Sequence, residues 1–290
     1  MNREFAMETP HDMSLDLQRH VRRTATGKIR IYSHSKSGAV VRVTMLTLLA
    51  LAVLGMFTFD YKNVDFAAAL AKTWRNVQTV FLAPRLTHNS LGGAMHQVLV
   101  TFCLGALSTI FGAIIAFFGS LLCAHNLANA RVVAVVKSIV ALVRAVPTIL
   151  WVLIFAVSAG LGGVAAVIGL TFHSAAYLIK AYAESIEEMD PGTIEALKAS
   201  GASYWQIVFQ AVLPSSVSYM LAWTFLRFEI NFTNAIAVGA AAGAGGIGYD
   251  LFMAGSFYFD LRELGYITWV VVLAVIVLET LATKVKAKVK

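Results

Sequence analysis

A long uncharged segment constrains this sequence more than any other feature. Between Ala145 and Ile179 there is no aspartate, glutamate, lysine or arginine. The whole chain is 58% hydrophobic and 13% charged, whereas a soluble domain has about 25% charged residues. Because too few polar groups remain to cover a water-exposed surface, lipid must surround most of the folded chain. The apolar segments show little strict alternation, which favours membrane helices over an outer-membrane barrel.

The apolar segments predict an all-α membrane protein with six transmembrane helices. The spans are expected at residues 40–59, 97–123, 133–158, 164–183, 207–226 and 266–283, with the third interrupted near Pro147 and a turn at 160–163. The chain then has three parts: a basic tail over residues 1–39, a transmembrane domain over 40–283 and a second basic tail over 284–290.

Positive charge is concentrated at the two ends of the chain. Eight arginines and lysines precede or open the first span, and four lysines follow the last. By the positive-inside rule both termini are expected in the cytoplasm of a bacterial inner-membrane protein, which requires an even number of crossings. The polar N-terminus predicts no cleavable signal peptide there. Its basic run is either a solvated tail or a contact for anionic lipid. Nucleic-acid binding is not expected, since no folded basic face is available.

An amphipathic helix is predicted at about residues 65–82, between the first two spans. Phe66, Leu70, Trp74 and Phe81 recur at helical spacing and form one apolar face. This face can lie in the outer membrane interface, with Trp74 at headgroup depth. Alternatively, it can contact an external partner protein.

A polar insert at residues 184–206 separates the fourth and fifth spans, and its sequence predicts two helices joined by a glycine. Asp190 followed by Pro191 favours a helix start, since proline at the first position gives up only an amide without a partner. Gly201 can adopt the left-handed conformation that ends a helix. Ser203 and Gln206 form a capping-box pattern for the next helix. We call this insert the elbow and expect it to be rigid.

The elbow resembles the EAA loop of ABC-importer permeases, in which Glu-Ala-Ala is followed by a glycine and later by Leu-Pro. The residues on this pattern are Glu195, Ala196, Leu197 (in place of the second alanine), Gly201, Leu213 and Pro214. Four further blocks, at residues 144–147, 160–163, 227–231 and 243–248, resemble the phosphonate-type permeases. The resemblance covers roughly residues 91–281.

This resemblance implies the MetI-like fold of type I ABC importers and a set of partners. The short helix of the elbow would dock on a cytoplasmic ATPase dimer. A second copy of the chain would complete the path, and an extracytoplasmic solute-binding protein would deliver the solute. The chain would bind no cofactor, with ATP and magnesium held by the ATPase. The solute would be phosphonate or a related oxyanion such as phosphite or phosphate, although another small solute remains an alternative.

Residues 228–260 are predicted to form a broken, partly re-entrant element that lines the path. Each glycine costs a helix about 1 kcal/mol, and Gly243, Gly245, Gly246 and Gly248 follow one another closely. Non-helical backbone persists at membrane depth only where protein or a water-filled cavity covers it. These glycines also spell GxGxxG, but the βαβ unit that a dinucleotide site needs is not predicted here.

Two charged positions within the spans are candidate path residues. Arg144 beside Pro147 is either a snorkelling arginine next to a structural kink or part of a gate that attracts anions. Arg227 and Glu229 are expected to pair with each other or across a dimer axis.

Polar residues that follow Arg227 extend this candidate set. The family resemblance places Glu229 and Asn231 on the path. Asn231 and Thr233 can also donate weak hydrogen bonds to a passing oxyanion. Thr233 stands where the family commonly has an arginine, so this position carries no positive charge.

Other chemistries find little support in the sequence. No G-x-x-x-x-G-K-[ST], HExxH or GxSxG motif occurs, so ATP hydrolysis would belong to a partner, and the seven histidines show no metal-ligand spacing. About 30 Å of helix separates Cys103 from Cys123, too far for a disulfide. A secondary transporter, the main rival from another class, predicts buried carboxylates and internal repeats. No acidic residue occurs between residues 133 and 183, and no repeat is evident.

Overall fold

A computed structural model of the protein describes residues 36–58 and 65–289, with side chains for 38–58 and 65–284. The chain divides into two compact units, Met1–Phe66 and Ala67–Lys290. The predicted basic tail over residues 1–39 lies almost entirely outside the described residues. The side chains of the C-terminal lysines beyond Lys284 lie outside them as well.

All regular structure in these two ranges is helical, in agreement with the predicted class. In chain order the helices are α1 (Lys36–Thr58), α2 (Phe66–Leu82), α3 (Leu91–Cys123), α4 (Ala130–Ala145), α5 (Thr148–Ala159), α6 (Gly163–Glu187), α7 (Pro191–Ala199), α8 (Tyr204–Ala242), α9 (Gly246–Phe252) and α10 (Leu261–Val289). A π-helical turn lies within α8 at Val208–Val212, and another, at Met253–Phe257, follows α9.

Five of the described helices are long and apolar enough to cross a membrane: α1, α3, α6, α8 and α10. The pair formed by α4 and α5 passes the same test only if it is counted as one broken span, which brings the number to six. The predicted fold class is thus confirmed. Several ends differ from the prediction, since α3 begins at Leu91 rather than Gln97 and α10 at Leu261 rather than Tyr266.

The third predicted span, residues 133–158, is interrupted at Pro147 as expected, and the interruption divides it into two helices. α4 ends at Ala145, α5 begins at Thr148, and the two helices are bent by 90°. Pro147 has no amide hydrogen to donate, and its ring drives the preceding residue out of helical conformation. Val146 accordingly has an extended ψ of 126°. The expected kink is therefore a full break.

The fifth predicted span was placed too short. It was expected to end at Leu226, and a broken element was expected from residue 228, but α8 continues unbroken to Ala242. Alanine is the strongest helix former and recurs between Ala235 and Ala242, which offsets the single Gly239. In the glycine-rich part the break covers residues 243–245, where Gly243 has φ +60° and Gly245 has φ +78°, and a second non-helical segment lies at residues 258–260.

The predicted amphipathic helix is present as α2, and its C-terminal end packs on α10. The indole Nε1 of Trp269 donates to the carbonyl oxygen of Phe81 at 3.2 Å, and the two rings meet edge to face. Whether α2 lies in the membrane interface or meets a partner stays a prediction.

Close contact between the interior helices depends on small residues. A Cβ added to Gly169 of α6 would lie 2.6 Å from the Val152 backbone of α5, and one on Gly112 of α3 would lie 2.8 Å from the Ser174 Cβ of α6. Glycine permits this approach between membrane helices. As a result α3, α5, α6 and α8 pack around one interior, which contains the polar side chains considered next.

Candidate functional site

The first part of the candidate site is the elbow, and its short helix α7 begins as the sequence predicts. The carboxylate of Asp190 accepts a hydrogen bond from the Gly192 amide at 3.0 Å, and Pro191 occupies the first helical position. The side chain therefore satisfies one of the amides that a helix start leaves free. The preceding helix α6 extends to Glu187, so the segment between the two helices is shorter than expected.

The end of α7 is also closed locally. Gly201 has φ +81°, the left-handed conformation that glycine adopts without strain. The Ala202 amide donates to the Leu197 carbonyl and the Gly201 amide to the Lys198 carbonyl, each at 3.0 Å. These two bonds define a Schellman motif. Ser203 and Gln206 then form the predicted capping box at the start of α8.

One face of α7 is anchored in the protein, and the other is exposed. Ile194 is 2% exposed and packs with Ile186 of α6 and Val208 of α8. Glu195 and Ala196 lie on the exposed face. Because the buried face contacts both neighbouring helices, α7 and these helices are expected to move together.

Leu213 and Pro214 lie inside α8, directly after its π-helical turn. Proline removes a hydrogen-bond donor and its ring crowds the carbonyl four residues earlier. The π-helical turn at Val208–Val212 precedes it, and the Leu213 amide donates to the Val208 carbonyl, five residues back. This wider turn keeps α8 continuous from the elbow into the apolar interior.

The second part of the candidate site is a set of buried polar side chains between α3, α6 and α8, which we call the arginine cluster. Arg227 is 2% exposed and donates from Nε to the Ser174 hydroxyl at 3.0 Å. Asn231, fully buried one turn later, donates to Ser174 at 2.8 Å and to Thr109 at 2.9 Å. Pairing of Arg227 with Glu229, or across a dimer axis, stays a prediction, although side chains two residues apart leave a helix in different directions.

A second cation lies beside Arg227. The guanidinium carbons of Arg227 and Arg144 are 5.1 and 5.5 Å from the centroid of the same Tyr177 ring. Both distances suit cation–π contact. Arg144 is exposed, whereas Arg227 is buried, so the pair leads from the surface of the helices to their interior.

Two buried nitrogen atoms of this cluster have no hydrogen-bond partner among the described residues: Nη2 of Arg227 and Nδ1 of His173. A buried donor or acceptor without a partner costs about 1–3 kcal/mol, and more in a charged group. A membrane-buried arginine is itself costly, by at least about 2.5 kcal/mol at mid-helix. The cluster therefore costs more folding free energy than an apolar contact between the same helices would.

The remaining predicted path residues lie apart from the arginine cluster. Thr233 is exposed, and its hydroxyl donates to the Glu229 carbonyl one turn earlier at 2.9 Å. Glu229 is half-buried. Gly246 is buried beside Thr101 of α3, and Gly248 lies so close to α8 that a Cβ would overlap a carbonyl oxygen. The assignment of these residues to a translocation path stays a prediction.

Sequence reasoning missed Ser174 and Tyr177 of α6. The available signal was a short polar set at positions 173, 174 and 177 within an uncharged span. These positions share one face of a helix, which indicates a buried polar contact rather than a lipid-facing surface.

A further polar cluster, which the histidine spacing did not indicate, joins the residues before α3 to the start of α10. Glu263 is 2% exposed, accepts hydrogen bonds from the His88 and Asn89 amides, and lies 2.6 Å from the His88 Nδ1. The hydroxyl of Thr87 donates to Asp260 and lowers the pKa of that carboxyl. A metal ion would fit the spacing of His88, Asp260 and Glu263. The carboxylate oxygens of Asp260 and Glu263 already accept hydrogen bonds, so we interpret the cluster as a structural link between residues 87–89 and α10.

The helices, the capped elbow and the sequence together define the class of membrane transport permeases. The chain belongs to the family described as binding-protein-dependent transport system inner membrane component, which matches residues 108–286. This match includes the elbow and the arginine cluster.

Relatives named as transporters of phosphorus oxyanions share this sequence pattern. The chain is 28% identical over 227 residues to the phosphate-import permease protein of Mycolicibacterium smegmatis, covering 77% of this chain and 40% of that protein. It is 33% identical over 147 residues to the phosphite transport system permease protein of Stutzerimonas stutzeri, covering 50% of this chain and 52% of that protein. The chain thus spans about half or less of the length of these two relatives. A putative phosphite transport system permease protein of the same organism is 28% identical over 209 residues, covering 72% of this chain and 73% of that protein.

The fold is similar to that of solved importer structures. The methionine ABC transporter MetNI, in an inward-facing conformation, matches with a TM-score of 0.63 and 23% identity, covering 71% of this chain and all of that chain. An amino acid ABC transporter matches with a TM-score of 0.54 and 16% identity. At these identities the likeness supports the fold.

Proposed function

We propose that this chain is the permease subunit of an ATP-driven importer that moves a small phosphorus oxyanion, such as phosphonate, phosphite or phosphate, across a bacterial inner membrane. The names of its sequence relatives support this solute class. Both termini lie in the cytoplasm, as the charge at the chain ends favours.

The observation that carries this proposal is the elbow. α7 is capped at both ends and anchored through Ile194, while its opposite face is exposed. A short helix of this kind suits a socket on an ATPase subunit. Since α7 contacts both α6 and α8, displacement of α7 by the ATPase moves both membrane helices.

The transporter contains two copies of this chain, an ATPase dimer and a solute-binding protein. The ATPase dimer has two matching sockets, and the two copies of the elbow fit into them. ATP and magnesium bind to the ATPase, since this chain has no phosphate-binding loop. Transport proceeds by alternating access, in which closure of the ATPase dimer rocks the helices of the two permease copies.

Reconstitution tests this function. Proteoliposomes that contain the chain, its ATPase and its binding protein are expected to accumulate radiolabelled phosphate, phosphite or methylphosphonate only when ATP is present. The control is an ATPase variant that binds ATP without hydrolysing it. Accumulation by the chain alone, driven by a proton gradient, would replace this proposal with a secondary transporter.

A methionine permease is the second candidate. The chain is 27% identical over 199 residues to a probable D-methionine permease of Pasteurella multocida, covering 65% of this chain and 89% of that protein. Competition separates the two candidates: excess phosphite should suppress uptake by the complete transporter, and excess methionine should not. Suppression by methionine alone would favour the second candidate.

A further inference from the structure

The arginine cluster has a positive charge that the described part of the chain does not compensate. Neither Arg227 nor Arg144 forms an ion pair with a carboxylate there. Both instead lie over the Tyr177 ring. Two like charges that share one ring repel each other, and an anion near both is attracted by both.

The unused hydrogen-bonding atoms belong to the same place. Nη2 of Arg227 is buried and has no hydrogen-bond partner among residues 36–58 and 65–289, although Nε of the same side chain donates to the Ser174 hydroxyl. Nδ1 of His173, the residue before Ser174 on α6, is also buried and has no partner in the part of the chain that the structure describes. A guanidinium donor is therefore available beside a region of positive charge.

We propose that Arg227 and Arg144 form a binding site for the transported oxyanion within the membrane, which makes them determinants of specificity. Arg227 donates Nη2 to an oxygen of the anion from the interior side, and Arg144 contacts the anion from the exposed side. Ser174 is a positioning residue that fixes the Arg227 side chain. This inference rests on the proposed function, because it assumes that the solute is an oxyanion.

The chemistry of the site suits a tetrahedral phosphorus oxyanion. Guanidinium groups bind planar or tetrahedral oxyanions with directed, charge-assisted hydrogen bonds. A zwitterionic amino acid would bring its ammonium group close to two arginines, which repel it. The few contacts of the site allow the anion to leave again, as transport requires.

The test compares variants of the complete transporter. With its ATPase in nanodiscs and without the binding protein, the wild-type transporter is expected to bind ³²P-phosphate saturably. Arg227→Gln should weaken this binding about tenfold or more, because it removes a charged hydrogen-bond donor. Arg227→Lys should restore part of it. Arg131→Gln is the matched control, since it removes an exposed charge from the first turn of α4, away from Tyr177, and should bind as the wild type does.

A purely structural role for Arg227 predicts a different result. Arg227→Lys would then fail to restore binding, and Ser174→Ala, which keeps both charges, would weaken it as much as Arg227→Gln does. If Arg227→Gln does not assemble with the ATPase, phosphate binding by Arg144→Gln, which changes an exposed residue, tests the proposed site instead. Weaker phosphate binding by that variant supports the site, and unchanged binding overturns it.

Uptake by the same preparations, with the binding protein added, separates this inference from the function on which it rests. Wild-type uptake of phosphate, phosphite or methylphosphonate together with unchanged uptake by Arg227→Gln overturns the oxyanion site alone. Absence of wild-type uptake for all three anions overturns the proposed function as well.

Discussion

The elbow and the arginine cluster satisfy their polar groups in opposite ways. At α7 the free amides and carbonyls of a helix find partners within a few residues, from Asp190 at the start to Ala202 at the end. In the arginine cluster, hydrogen bonds join three separate helices, yet Arg227 and His173 each retain a buried nitrogen with no partner among the described residues. The elbow is structurally complete without a ligand, and the arginine cluster is not.

This difference separates a mechanical part from a binding part. A helix with both ends capped and one face anchored keeps its shape under load, so it suits contact with an ATPase. Buried charge without a counter-ion is stable only if something compensates it for part of the transport cycle. Variants in the two regions should therefore impair transport by different routes.

The largest loss of stability and uptake is expected from Ile194→Ala, which removes the buried side chain that anchors α7. Truncation of a buried isoleucine costs about 2–5 kcal/mol, and Ile194→Val, the control, costs only about 0.5–1.5 kcal/mol. Hydrogen exchange of residues 191–199 in the complete transporter should accelerate in the alanine variant, and uptake should fall. Unchanged exchange would show that α7 does not depend on its buried face.

Gly201→Val is expected to strain the turn after α7 by about 1–3 kcal/mol, because valine resists a φ of +81°. ATP hydrolysis should continue while uptake falls, since the displaced α7 no longer transmits the movement. Gly201→Asn is the control, because asparagine tolerates the left-handed conformation. Equal numbers of solutes imported per ATP hydrolysed in the wild type and the valine variant would contradict this account.

Ser174→Ala tests the other region. The substitution removes a hydrogen-bond partner from both Arg227 and Asn231, at a cost of about 1–3 kcal/mol. The melting temperature of the purified transporter in detergent should fall. Ser138→Ala provides the comparison, since this exposed hydroxyl bonds only to its own helix backbone. A similar melting temperature for the two variants would mean that the network does not stabilise the fold.

Asp190→Ala is expected to have the smallest effect of these variants. Loss of a helix N-cap costs about 1 kcal/mol, and asparagine at this position caps nearly as well. Uptake by Asp190→Ala should fall modestly, and uptake by Asp190→Asn should stay close to that of the wild type. A larger loss than for Gly201→Val would point to a direct contact of Asp190 with a partner.

The two regions also differ in how far the sequence predicts them. The caps at Asp190 and Gly201 are local, because their conformations follow from residue type and spacing over a few positions. The length of α8 was underestimated because its glycine content was weighed without the alanines around Gly239. The right angle between α4 and α5 also depends on how each of these helices packs against α6.

The arginine cluster could be predicted only in part. Arg144 and Arg227 stand out as cations within apolar spans, but they are far apart in sequence. Their common contact, Tyr177, is brought between them by the packing of α4, α6 and α8. No local pattern records this packing, so the sequence offered only Glu229 or a residue across a dimer axis as the partner of Arg227.

Cross-linking of α7 tests the central claim most directly. Glu195→Cys, introduced with Cys103→Ser and Cys123→Ser, places one reactive thiol on the exposed face of α7. A photoreactive label at this thiol is expected to form an adduct with the ATPase subunit in intact membranes, whereas the same label at Trp74→Cys on α2 should form none. An ATPase adduct from position 74, with none from position 195, would contradict the account.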